Sequence, residues 1–136
     1  MNTTTDTYLT SHRQFLQGLL DICLKSDPFN AEPEALLEEH QQFLNTLTEL
    51  AEAETWPEDL RQSGSDLICL IVSTYPHITP HVPRDLFWFF GGQCLHYMPD
   101  DEITKFQRLD EARYEAEDAG EGFDYMAVRN QVLGLH

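Results

Sequence analysis

The residues with the richest chemistry fall in one stretch, Tyr75–Glu102, which holds His77, His81, His96 and Cys94. His77 and His81, joined by Cys94 or His96, outline a mononuclear metal site, since imidazole and thiolate are common ligands. The spacing argues against it. A four-residue step aligns two ligands best on a helix, and Pro76 and Pro80 disfavour one there. Gln93, Cys94 and His96 outline a cysteine hydrolase, with Gln93 as oxyanion donor and His96 as base. Residues two apart on a helix point to opposite faces, so His40, His77 or His81 would have to replace His96. Cys94 reads more simply as a small core side chain. A di-metal bundle needs an acid three residues before a histidine. The residues found there are Leu9, Leu37, Thr74, Ile78, Gln93 and Leu133. Gly91-Gly92 has no strand before it and no Lys-Ser or Lys-Thr after it, so it is no phosphate loop. No catalytic residue, metal ligand or cofactor is therefore assigned. A metal- or thiol-dependent enzyme built on His77, His81, Cys94 and His96 is kept as an alternative.

Two surfaces suit binding rather than catalysis. Four of the seven prolines lie in Tyr75–Glu102, three of them before Arg84, and each ring stiffens the chain. That elbow presents His77 and His81, followed by Arg84 and Trp88, residue types favoured at interface hot spots. The plainer reading buries Trp88 and pairs Arg84 with Asp85 or another acid. The second surface is acidic. From Ser26 to Leu60 there are ten acids, Glu34, Glu38, Glu49 and Glu52 among them, and no Lys or Arg. Such a run is either a solvated face or a surface for a basic protein partner. His40, on an apolar stripe, is expected as a core-edge histidine.

The totals bound the partners. The chain of 136 residues carries a net charge of −16, which repels nucleic acid and anionic lipid alike. Direct nucleic-acid binding is not expected. An apolar fraction of 41% is that of a globular domain. Cys23, Cys69 and Cys94, with no CxxC spacing, are expected as reduced thiols in the cytoplasm. The longest aliphatic run, Leu67–Val72, is too short to span a membrane. No secretory signal is read in the first residues.

The elements that must position these residues read as helices. Residues 1–7 are expected to be disordered. A first helix covers Tyr8 to Ser26, with Ser11 and Gln14 as a candidate capping box and Gly18 as a place for close packing. The second spans Glu32 to Ala53, where Leu36, His40, Phe43, Leu47 and Leu50 step by four and three. Thr55 and Glu58 form a second capping box ahead of a third helix, Leu60 to Thr74, apolar on every side in its second half. A fourth runs from Pro83 to Pro99, where Gly91-Gly92 either kinks it or lets another backbone approach closely, and a fifth from Pro99 to Ala119, stopped by Gly120. Asp124 caps a short sixth. The spacing predicts an all-α single domain, a bundle of five to six helices around a buried pair, Leu67–Val72 and Leu86–Met98.

The stretch from Tyr75 to Ile103, with its Phe-Trp-Phe-Phe-Gly-Gly-Gln-Cys core, resembles the hallmark segment of a small family of Pseudomonas-type bacterial proteins of unknown function. Phe123-Asp124-Tyr125 in the tail is similar too, and the likeness is strongest over residues 67–136. It implies a bacterial cytoplasmic domain and carries over no activity. The function expected is that of a non-enzymatic acidic interaction or regulatory protein, with a protein partner or self-association as a homodimer. An acidic decoy for a nucleic-acid-binding protein is the first alternative.

Overall fold

The computed structural model describes residues 6–134 and is all-α. Its helices are α1 (Tyr8–Leu24), α2 (Glu38–Glu52), α3 (Glu58–Thr74), α4 (Arg84–Phe90), α5 (Asp100–Asp118) and α6 (Tyr125–Leu133). Short 3-10 turns at Pro33–Ala35, Thr79–His81 and Gly92–Tyr97 join them. α1 lies chiefly against α2, α3 against α2 and α4, and α5 against α6.

Periodicity locates the core correctly where a stripe is clean. Phe43, Leu47 and Leu50 of α2 are buried, as are Gly64, Leu67, Ile68 and Ile71 of α3. α4 buries Leu86, Phe87, Phe89 and Phe90, so α3 and α4 are the central pair. Among the described glycines the tightest packing is at Gly64, where a Cβ would stand 2.3 Å from the Phe90 ring. Gly18, expected to fill that role, is exposed with open space around it. Asp124 caps α6 by accepting from the Ala127 amide at 3.2 Å, and Gly120, at φ +68°, lies just past the end of α5.

Several boundaries differ from expectation, each for a local reason. The fourth helix stops at Phe90, because Gly91 adopts φ +63° and ψ −144°, a conformation side-chain-bearing residues avoid. From Gly92 to Tyr97 the backbone is 3-10, so Leu86–Met98 is not one rod. α2 starts at Glu38, because Leu36 and Leu37 are extended and Leu36 packs on the core from that backbone. Neither capping box forms. α1 begins at Tyr8, leaving Ser11 buried inside it, and α3 begins at Glu58 after Pro57. The second half of α3 is not sealed on all sides: Leu70 is 40% exposed, and Cys69 and Val72 are half-buried. The expected disorder of residues 1–7 fails at Asp6 and Thr7. The Thr7 amide donates to Phe123 O at 3.0 Å, and Thr7 Oγ1 accepts from the Tyr125 amide at 2.9 Å. Residues 1–5 lie outside the described residues.

Candidate functional site

The proline elbow is pinned from below by Tyr75, Ile78 and Val82, all buried. That leaves His77 and His81 outward. His77 Nε2 donates to Asp27 O at 2.6 Å, and His81 and His96 are exposed. His40 sits at the core edge against Phe29 and Tyr75, edge-on to both rings. Cys94 is fully buried and turns away from these imidazoles, donating to Ser65 O at 3.3 Å. Burial pushes its thiol up to about 11. Among the described residues no three His, Cys, Asp or Glu side chains stand where they could share a metal ion.

Arg84 and Trp88 spend their polar groups inside the molecule. Arg84 Nη2 donates to Glu102 at 2.8 Å and to Tyr97 O at 2.7 Å, with its guanidinium 4.2 Å over the Phe87 ring. Trp88 is half-buried, stacks on Phe106, and its indole N–H donates to Asp110 at 2.9 Å. Burial raises the Asp110 carboxyl above the usual range, against the opposing pull of that bond.

Asp85 does not pair with Arg84. Among the described residues it is the one fully buried acid, 1% exposed. Arg129 of α6 grips it with Nε at 2.7 Å and Nη2 at 2.8 Å, and the Tyr125 hydroxyl donates to it at 2.6 Å. The bond from Asp85 raises Arg129, while burial first, and then the Asp85 charge, drive the Tyr125 phenol far above its usual range. Beside them His12 lies 4.3 Å from the Phe89 ring, stacked on it, and its Nδ1 donates to Tyr8 O at 2.6 Å. Burial lowers His12 to about 4, so the ring is neutral at pH 7. Tyr8 is pushed up to about 12, chiefly by burial. This cluster ties α1, α4 and α6 together. Sequence reading missed it, because an acid in the first turn of α4 looks like an ordinary partner of the helix dipole. A cleft of about 280 Å³ opens next to it beside Lys105, Phe106 and Leu133, but its two arginines are already held by Glu102 and Asp85.

A second recess lies between α2 and α3. It is open, about 280 Å³, with Phe43, Leu67 and Leu70 as an apolar floor. Gln42 and Thr46 line it from α2, and Ser63 and Asp66 from α3. Helical spacing puts Glu38 and Glu49 on the face of Gln42 and Thr46, and Asp59 on the face of Ser63 and Asp66. All four acids are exposed. Glu34, in the turn before α2, and Glu52, at its last position, are exposed as well. Glu38, Glu49 and Asp59 of the acidic run thus flank an apolar floor that carries Asp66 at its edge.

Among the described residues no helix is long and apolar enough to cross a membrane. No curated protein and no solved structure matches the chain. The segment around α4 and the tail at Phe123 pointed to a bacterial family of Pseudomonas type, and the match runs well beyond those segments. The model of the PA2817-like family covers residues 4–136, and the chain belongs to that family.

Proposed function

We propose that the chain is a non-enzymatic interaction protein whose α2–α3 groove seats a cationic amphipathic helix of a protein partner. The observation that carries this is the apolar floor of Phe43, Leu67 and Leu70 with Asp66 at its edge, and with Glu38, Glu49 and Asp59 exposed on the flanking helix faces. An amphipathic helix lays its apolar face into such a groove, and the acids on both walls select lysine and arginine on its flanks. The stretch from Ser26 to Leu60 holds ten acids and no Lys or Arg that would repel that partner. The floor also separates this reading from an acidic decoy, which mimics phosphates and needs no hydrophobic seat.

The test uses a synthetic cationic amphipathic helical peptide and a counterpart with the same apolar face and acidic flanks. The cationic peptide is expected to bind, to weaken as salt rises, and to be lost with Leu70→Glu. Leu70 is exposed, so that substitution leaves the fold intact. Equal binding of both peptides, or binding indifferent to Leu70→Glu, overturns the groove. Partners captured from the bacterium's own lysate add a second arm. A partner released by duplex DNA but retained by the Leu70→Glu variant replaces this reading with the decoy.

A further inference from the structure

Cys69 on α3 and Cys94 on the 3-10 turn after α4 are distant in sequence, yet their sulfurs lie 3.9 Å apart. Neither spacing nor motif announces the pair, because the sharp reversal at Gly91 is what swings Cys94 back over α3. The two thiols differ in setting. Cys69 is half-buried and reachable, whereas Cys94 has no exposed surface. Ser65, one helical turn before Cys69, holds Cys94 from two sides. Its carbonyl accepts from the thiol at 3.3 Å, and its hydroxyl stands 3.5 Å from the sulfur while donating to Gly91 O at 3.1 Å. Cys94 is thereby fixed facing Cys69. Cys23, also fully buried, sits on α1 in a different part of the core.

We propose that Cys69 and Cys94 are an oxidative modification site, closed to an intramolecular disulfide by a hydroperoxide. Sulfurs in contact need only approach to about 2.05 Å, within reach of side-chain rotation and a small shift of the 3-10 turn. The reachable Cys69 thiolate attacks the peroxide, whose O–O bond breaks. With hydrogen peroxide the sulfur loses two electrons and becomes a sulfenic acid, and the leaving oxygen departs as water. The Cys94 sulfur then attacks the Cys69 sulfur, expels hydroxide, and gives up its own proton to it as a second water. Two thiols and one peroxide become one disulfide and two waters. Burial holds the Cys94 thiol protonated at neutral pH, so the second step accelerates as pH rises. This site is independent of the groove proposed above.

The full chain is treated with hydrogen peroxide, quenched, alkylated in denaturant and mapped without reduction. The expected result is a Cys69–Cys94 linked peptide in a monomer, with two of three thiols lost and Cys23 still free to alkylate. The thermal midpoint of the oxidised protein rises and returns on reduction. In the variant Cys69→Ser the linked peptide is absent and all remaining thiols alkylate; a Cys23→Ser variant still forms the link. Because Cys69 is half-exposed, Cys69→Ser folds even if Cys94→Ser does not. Cys69 carried to sulfinic acid with Cys94 free, a Cys69–Cys69 linked dimer, or three intact thiols each overturns the proposal.

Discussion

Arg129 closes both nitrogens of its fork on Asp85, at 2.7 and 2.8 Å, and so bolts the last helix to the most buried one. The acid is completely covered and the arginine side chain only 15% exposed. A buried pair of this kind adds little over a well-packed apolar pair, but breaking it leaves a charge without a partner. Asp85→Asn is expected to destabilise the fold by about 3–5 kcal/mol, a large share of the stability of a single domain. Urea unfolding would show a lower midpoint with an unchanged slope. The triple variant Asp85→Leu, Arg129→Met, Tyr125→Phe removes every charge and donor together and should recover most of the loss.

The outer pair, Arg84 with Glu102, has the same chemistry and a different cost. Its side chains are 37% and 23% exposed, so water replaces a lost partner. Glu102→Gln is expected to cost under about 1 kcal/mol in the same unfolding measurement, and less at high salt. A loss as large as that of Asp85→Asn would mean that the stacking of Arg84 over Phe87 depends on this carboxylate.

Two helical glycines test packing against propensity. Gly18 on α1 is exposed with nothing near its missing Cβ, so Gly18→Ala should stabilise by about 1 kcal/mol. Gly64 on α3 has Phe90 at 2.3 Å from that point, so Gly64→Ala must displace a buried ring. A net loss of about 1–2 kcal/mol is expected, the overpacking penalty less the helix gain. Phe90→Leu should abolish much of the difference in a double-mutant cycle, because the clash is with the ring.

These contrasts mark where the fold is legible in the chain itself. The α2 stripe of Phe43, Leu47 and Leu50 repeats at the helical period, and burial obeys it. Gly120 and Asp124 bear local signals for a helix end and a helix start, and both act as such. Gly91 is visible as a breaker, but whether it kinks or ends the helix depends on a φ that the sequence does not state. Cys94 reaches Ser65 and Cys69 of α3 by way of that reversal. Asp85 is hidden for another reason: its partner Arg129 is 44 residues away, and only the docking of α6 brings them together. The acidic rim is readable from charge alone, whereas its apolar floor needs the α2–α3 packing.

The His12 ring supplies a pH dependence of definite sign. Its ordinary value of 6.5 is lowered to about 4 in the fold, because burial disfavours the imidazolium. The Tyr8 carbonyl and the Asp85 charge favour protonation, while Arg113 and Arg61 oppose it. Between those two values the unfolded chain binds the proton and the folded one does not. Stability therefore falls as pH drops from 6.5 towards 4, and this contribution is fully recovered above 6.5. The difference corresponds to about 3 kcal/mol between about pH 7 and pH 4. His12→Phe keeps an aromatic ring against Phe89 and cannot titrate. Unfolding free energies of the two proteins, measured in parallel across that range, should therefore diverge by about this amount, the wild type losing more. Subtracting the variant removes the contribution of the many exposed carboxylates, which titrate alike in both. Parallel curves would mean that water reaches His12 through the Tyr8–Phe89–Tyr125 cage.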